Sequence, residues 1–395
     1  MVDYRPLPED ATEAHDALTS YAFGADQGPP LPPDREQRQE RYWSFGDYRG
    51  VFEGDELLAA CGQIEFTARV RGAWLPLAGL TGVATAPTHR RQGLAGRMLE
   101  ASLAEYRDRG WPVSALRPFD ARFYGRYGWA TGCRYTAATV SPSALAPARE
   151  AAAGRFRRVH PEGFEALEPV YREWLDGVGL ATRRSEDWWR DRAFHTPGTE
   201  LYCYAWERDG ETRGYLLYQA EDRRLTVREA AHVDHEAYLN LLRFLADHDA
   251  QADELLLRGP GHDRLLDVVE DRDALDVELV PGQMVRIADV SAALEAVRYP
   301  ADEAATLTLS VADDHAPWND RTVRLAVADG TATVEPTEEE PDASVDIGTL
   351  SQLLVGYLPA RRARTVGGLT VETPGTVATL AALFPEQETY LPERF

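Results

Sequence analysis

The chain has no lysine: all 42 of its basic residues are arginines. A lysine nucleophile and a Schiff base are therefore excluded. With 65 acidic residues and a net charge of −23, the chain also offers no basic stripe for nucleic acid. An acidic surface without lysine suits solubility in high salt, where charge repulsion is screened, so we expect a halophilic setting. The alternative is a GC-rich genome, which favours arginine codons but does not explain the acidity.

Cysteines and long apolar runs are also scarce. Cys61, Cys133 and Cys203 are odd in number and share no spacing. This predicts free thiols in a reducing cytosol, and no zinc or other metal site. No apolar run approaches the roughly 18 to 20 residues of a membrane span, and the first residues carry no apolar signal core. We therefore expect a cytoplasmic protein without a membrane partner.

Strand-like and helical patterns alternate along the chain and divide it into three blocks. The first block covers 1–145, the second 155–285 and the third 286–395. The second block repeats the order of the first, with helices, antiparallel strands, a helix and a strand, which indicates an internal duplication of the fold. We expect an α/β (α+β) protein with mixed, mainly antiparallel sheets flanked by helices.

Three local patterns set the details of this plan. A strong amphipathic helix is predicted at 93–109, because its apolar residues recur at spacings of three and four. A strand predicted at 135–140 closes the first block. The Ala/Pro-rich stretch 141–154 is typical of a linker.

A loop with the sequence Arg90-Arg91-Gln92-Gly93-Leu94-Ala95 joins a predicted strand to the amphipathic helix. The N-terminus of a helix offers unpaired N–H groups and the positive end of the helix dipole. Gly93 lets the backbone approach an anion closely, and the small Ala95 keeps the first turn open. Such a loop is by itself most often a charged helix start. Its position after a buried strand favours a pyrophosphate site, distinct from a Walker loop with its Gly-Lys-Ser/Thr.

Two segments carry a resemblance to a known family. Residues 80–99 resemble motif A of GCN5-related acetyltransferases, and 123–129 (Phe-Tyr-Gly-Arg-Tyr-Gly-Trp) resemble the Tyr-Gly-Arg-aromatic-Gly motif of the "enhanced intracellular survival" family of aminoglycoside and amine acetyltransferases. The three-block plan is similar too. The resemblance implies a catalytic acetyltransferase domain, a degenerate second one, a sterol-carrier-protein-2-like α/β domain at 286–395, and a homo-oligomer, namely a hexamer.

The resemblance also implies acetyl-CoA as the cofactor. Its pantetheine arm would pair with the strand end and its pyrophosphate would lie in the loop. The residues expected to contact it are Val83, Ala84, Thr85, Arg90, Arg91, Gln92, Gly93, Leu94, Ala95 and Gly96. A similar loop at 258–263 contains Pro260, which lacks an N–H, and Asp263, which would repel a phosphate, so we expect no cofactor there.

Acetyl transfer to an amine needs a base for the ammonium and an acid for the departing thiolate. Tyr124 matches the family's general acid, and a phenol with a pKa near 10 suits that role. Without the motif, a buried structural tyrosine would be the better interpretation. The family's general base is the free C-terminal carboxylate of an aromatic residue, which implies the carboxylate of Phe395. Most chain termini are otherwise frayed.

An acidic and aromatic pocket would suit a cationic substrate. We expect Phe23, Asp26, Trp43 and Glu393 to line it, although Asp26 equally fits a turn cap and the family's acidic residue aligns alternatively on Ala25. The sequence thus predicts an acetyl-CoA-dependent N-acetyltransferase of small-molecule, polycationic primary amines. Two alternatives stay open: protein N-termini or lysines as acceptors, and a non-enzymatic lipid carrier built on the third block.

Overall fold

The computed structural model describes residues 2–24, 45–195 and 199–395. The chain divides into two compact units, of which one combines Met1–Cys133 with Gln283–Phe395 and the other is Arg134–Gly282. The first unit therefore joins both ends of the chain, and the second is the stretch between them.

Strands dominate both units. Among the described residues they are β1 (Val2–Pro6), β2 (Asp47–Glu53), β3 (Glu56–Val70), β4 (Ala73–Thr85), β5 (Val113–Leu116), β6 (Ala130–Thr131), β7 (Arg134–Val140), β8 (Arg155–Val159), β9 (Thr182–Arg183), β10 (Tyr202–Arg208), β11 (Glu211–Glu221), β12 (Arg224–His232), β13 (Glu254–Gly259), β14 (Leu275–Pro281), β15 (Met284–Ile287), β16 (Ala305–Ala312), β17 (Arg321–Ala328), β18 (Thr331–Pro336), β19 (Ala343–Asp346) and β20 (Leu369–Val371).

Helices connect and cover the sheets. In the described parts of the chain they are α1 (Thr12–Phe23), α2 (Leu94–Asp108), α3 (Ala121–Gly125), α4 (Glu168–Trp174), α5 (Glu186–Trp188), α6 (His235–Ala246), α7 (Val290–Ala296), α8 (Ile347–Val355), α9 (Ala360–Val366) and α10 (Thr376–Leu383). The amphipathic pattern predicted at 93–109 is α2.

The first sheet has the strand order β1-β2-β3-β4-β5-β15-β6. Neighbouring strands in this sheet are antiparallel except β4 and β5, which pair in parallel from Leu77–Val113 to Leu80–Leu116. Beyond Leu80, β4 continues to Thr85 and stays paired with β3. Within the described residues no strand pairs with the other edge of β4 there, so β4 and β5 part and leave an open edge.

The two faces of this sheet are covered by different helices. Side chains alternate along β4, so Ala78 and Leu80 face the buried stripe of α2, where they join a core cluster with Met98. On the opposite face, Leu18 of α1 packs against small residues of β3 and β4. Gly79 lies between Ala78 and Leu80 in β4, so it faces the opposite side of the sheet. A Cβ on Gly79 would lie 2.5 Å from the ring of Phe66.

A second sheet in the first unit, β18-β17-β16-β19-β20, is formed by the C-terminal part of the chain. Its strands pair antiparallel except β16 and β19. Helix α8 is almost wholly buried. The C-terminal block also contributes to the first sheet, since β15 lies between β5 and β6.

The second unit repeats the plan of the first sheet, with the strand order β14-β7-β13-β12-β11-β10-β8. Its one parallel pair among the described strands is β12–β13, joined by α6 just as α2 joins β4 to β5. The predicted tandem arrangement of mixed, mainly antiparallel sheets is therefore confirmed.

Two predicted assignments at the junction of the blocks are wrong. The strand predicted to close the first block is β7, which pairs with β13 and β14 of the second unit and buries Ala138 and Val140 there. The stretch expected to be a linker forms a 3₁₀ helix, Pro142–Ala151, whose Leu145 and Ala148 are buried in the same core. In both segments much of the buried face consists of alanine, which gives a weaker hydrophobic pattern in the sequence than larger apolar residues do.

Candidate active site

The loop before α2 has the features of an anion-binding helix start. Arg91 and Gly93 adopt left-handed conformations, with φ of 61° and 77°. Gly93 is the N-cap, no side chain caps the helix, and the first turn holds no acidic residue. The N–H groups of the first turn are therefore left for a ligand. The whole run from Arg90 to Gly93 is exposed.

Three predicted contact residues lie at the end of β4, on its open edge. Thr85 pairs with Ala59, and Ala84 pairs with Ala60. The Ala84 side chain is buried toward Leu18, so only its backbone is available to a ligand. Val83 packs partly against the α2 core instead. An extended ligand amide can pair with the free edge of such a strand.

Gly96 is required for a reason that the sequence did not reveal. A Cβ atom on Gly96 would lie 2.4 Å from the hydroxyl oxygen of Tyr127. The phenol of Tyr127 is therefore packed against the first turn of α2. This contact couples the loop before α2 to the second motif.

Tyr124 lies on the short helix α3, which Asp120 caps by accepting from Arg122 N at 2.8 Å. Tyr124 is 3% exposed, and its ring meets those of Phe119 and Phe123 edge-on at 5.4 and 5.1 Å. Burial raises the pKa of Tyr124 well above its usual value, so the phenol stays protonated at neutral pH.

The C-terminal tail packs against the first sheet. Tyr390, Leu391 and Glu393 are buried. The ring of Phe395 lies 4.8 Å from that of Phe66, centroid to centroid, and 3.0 Å from where a Cβ of Gly79 would stand. Because Gly79 pairs with β5 one residue before β4 and β5 part, the tail ends beside the open edge.

Comparisons with known proteins agree with this arrangement. Two acetyltransferase (GNAT) domain models match residues 3–132 and 180–287, and a sterol carrier protein domain model matches 290–392. The chain is 29% identical over 331 residues to the N-acetyltransferase Eis of Mycobacterium tuberculosis, covering 80% of this chain and 79% of the relative. It is 27% identical over 353 residues to an uncharacterized N-acetyltransferase of Streptomyces avermitilis, covering 85% and 86%.

The fold comparison covers the whole chain. A GCN5-related N-acetyltransferase structure from Anabaena variabilis superposes with a TM-score of 0.86 at 19% identity, covering 100% of both chains. This chain is an Eis-like N-acetyltransferase. GNAT acetyltransferases in general take the acetyl group from acetyl-CoA.

The residues predicted for the acceptor side have different outcomes in this enzyme. Glu393 is buried within the tail. Phe23, at the end of α1, is 68% exposed. Asp26 and Trp43 lie outside the described residues.

The second domain of the enzyme has its own version of the loop, at a position that the sequence analysis missed. The equivalent of the α2 start is the start of α6 and not the loop at 258–263, because α6 joins the parallel pair. There Asp234 caps the helix, accepting from Ala237 N at 2.8 Å, and pairs with Arg213. The protein's own carboxylate thus takes the place that an anion would occupy.

Among the described residues, no group of three or more His, Cys, Asp or Glu side chains is arranged to hold a metal ion. No helix in these parts of the chain combines the length and the apolar character that a membrane crossing demands.

Proposed function

We propose that this enzyme transfers an acetyl group from acetyl-CoA to a primary amine of a small polycation, of the aminoglycoside or polyamine kind. The observation that carries the proposal is the buried tail, with the Phe395 ring against Phe66 and over Gly79. A carboxylate at that point would stand beside the opening between β4 and β5, where an amine and a thioester can meet.

The loop before α2 fits the pyrophosphate of acetyl-CoA. Its uncapped first turn and left-handed Gly93 admit an anion, and Arg90 and Arg91 supply positive charge. The N–H groups of Gln92 to Gly96 would hold the pyrophosphate, and the open edge from Val83 to Thr85 would pair with the pantetheine amides. When bound, acetyl-CoA supplies the acetyl group as an activated thioester.

Two groups of the chain would move the protons. The Phe395 carboxylate would accept a proton from the substrate ammonium, which frees the amine to attack. The Tyr124 hydroxyl would donate a proton to the leaving sulfur, and its raised pKa keeps that proton available across the neutral range. Tyr124 packs with the α2 face of the sheet and Phe395 lies on the other. Base and acid would thus approach the open edge from opposite faces.

The preference for a polycation rests on charge. The chain carries a net charge of −23, and Glu393 brings a carboxylate within two residues of Phe395. A second ammonium of the acceptor would be attracted there. We include Phe23, Asp26 and Trp43 in this proposed acceptor side.

A thiol-release assay tests the proposal. Acetyl-CoA is offered with an aminoglycoside, a polyamine, a peptide with a free N-terminus and a peptide with an internal lysine, in both low and high salt. We expect release to be fastest with the two small polycations. Faster release with a peptide would overturn the acceptor class. No release with any amine, together with no thermal shift by CoA, would overturn the whole proposal.

Two variants test the proton-transfer roles. Tyr124→Phe should lower kcat by roughly 10²–10⁴-fold with little change in the affinity for CoA. Tyr106→Phe is the matched control, since it removes another hydroxyl from the same core cluster. One glycine added after Phe395 moves the carboxylate and should cause a similar loss. Undiminished activity in either chain would remove that residue from the mechanism.

A further inference from the structure

Gln283 stands where the chain returns from the second unit to the first. It is buried, and its Nε2 donates a hydrogen bond of 2.9 Å to the backbone carbonyl of Glu393. The backbone carbonyl of Gln283 also accepts from Gly132 N at 2.9 Å, which ties Gln283 to the residue that follows β6. A side chain held just before β15 thus binds the tail two residues before its end.

The neighbouring Cys133 fixes the orientation of this amide. Burial raises the pKa of Cys133 to about 11, so its thiol is protonated at neutral pH. The thiol donates to Oε1 of Gln283 at 3.3 Å. Because a carbonyl can only accept, the amide nitrogen must face Glu393. Cys133 therefore orients the Gln283 amide, and the amide holds the tail at residue 393.

We propose that Gln283 is a positioning residue that sets the register of the C-terminal tail and so the location of the Phe395 carboxylate. The inference rests on the proposed function of that carboxylate. Two residues of extended chain span roughly 7 Å, so a bond at residue 393 leaves little freedom at residue 395. Packing of the Phe395 ring alone allows sliding along the face, whereas the hydrogen bond selects one register.

The test compares two glutamines that make the same kind of bond. Gln283→Leu removes the bond to the tail. Gln352→Leu removes a bond from Nε2 to the carbonyl of Thr131, also 2.9 Å long and in the same unit, but its acceptor is not a residue of the tail. We expect Gln283→Leu to lower kcat about tenfold or more with the KM for acetyl-CoA unchanged, because the loop before α2 is untouched. Gln352→Leu should keep the wild-type kcat.

A double-mutant cycle distinguishes positioning from general loss of structure. In the chain extended by one glycine, where the carboxylate is already displaced, Gln283→Leu should lower kcat by less than twofold. An equal loss in both backgrounds would overturn the proposal. If Gln283→Leu fails to fold, Gln283→Asn replaces it, because this variant keeps the amide but withdraws it by one carbon.

The roles of the Phe395 carboxylate and of Gln283 can be refuted separately. Full activity of the extended chain would overturn the base assignment, whatever Gln283 does. An inactive extended chain together with a fully active, folded Gln283→Leu enzyme would overturn only the role of Gln283. Equal losses in Gln283→Leu and Gln352→Leu, tracking their melting temperatures, would also overturn it.

Discussion

Arg286 and Asp313 form an ion pair with no solvent exposure, with Nη2 and Oδ1 2.6 Å apart. The same guanidinium donates from Nε to the carbonyl of Tyr127 at 2.6 Å. The C-terminal part of the chain thereby holds the turn that follows α3, the helix that carries Tyr124. Neither residue was singled out from the sequence, because a lone arginine on a short strand has no pattern that predicts its partner.

Arg286→Met should lower the free energy of unfolding by about 3–5 kcal/mol, because it leaves Asp313 buried without its counter-charge. Denaturant unfolding followed by circular dichroism measures this. Arg324→Met is the control, since Arg324 pairs with Glu339 on the surface and is expected to cost about 0–1 kcal/mol. Equal losses of unfolding free energy in the two variants would show that the buried pair stabilises the protein no more than the surface pair does.

The sequence predicted those parts of the fold and site whose residues are neighbours in the chain. Helix α2 was recognised because its buried residues recur at helical spacing, and the Gly93 loop because its chemistry is contiguous. Contacts between distant segments were not predictable. Gly96 with Tyr127, and Gln283 with Glu393, are pairs whose partners lie 31 and 110 residues apart.

Gly96→Ala tests the first of these distant contacts. The new methyl would meet the Tyr127 hydroxyl, so Tyr127 or α2 must shift, at about 1–3 kcal/mol of stability. Gly125→Ala is the control, because a Cβ there meets nothing within 4 Å. In a Tyr127→Ala background the added cost of Gly96→Ala should vanish. A persisting cost, measured by urea unfolding of the four chains, would mean that the glycine is needed for another reason.

Glu229→Gln tests the core of the second unit. Glu229 accepts two bonds from Arg184 and one from Tyr215, at 2.7 Å, and all three groups are buried. Neutralising the carboxylate removes a charged partner of the buried Arg184 guanidinium, so we expect the unit to lose about 3–5 kcal/mol. Glu254→Gln, which disrupts an ion pair with Arg224 at half-exposed side chains, should cost less than about 1 kcal/mol. Limited proteolysis of 134–282 reports the difference.

The buried His15 should make the stability of the first unit depend on pH. The side chain is buried in α1 against the ring of Tyr48, 4.7 Å away, and burial lowers its pKa although Nδ1 meets Asp16. The folded state therefore resists protonation, while the unfolded chain takes up the proton at its usual pKa of about 6.5. Acid favours unfolding below that value, and the contribution of His15 to stability is complete above it.

We therefore expect the free energy of unfolding to fall between pH 7.5 and 5.5, a window above the range in which carboxylates titrate. His15→Leu should make this fall shallower, whatever its effect on stability at pH 7.5, because the slope depends on the number of protons taken up on unfolding. Burial also lowers the pKa of His232 in the second unit, so a smaller slope from that group should remain. Leu18→Ala, a change in the same helix that alters no titratable group, should retain the wild-type slope. Chemical unfolding of the three chains at both pH values decides the matter, and an unchanged slope in His15→Leu would show that the buried imidazole is not the group that senses the acid.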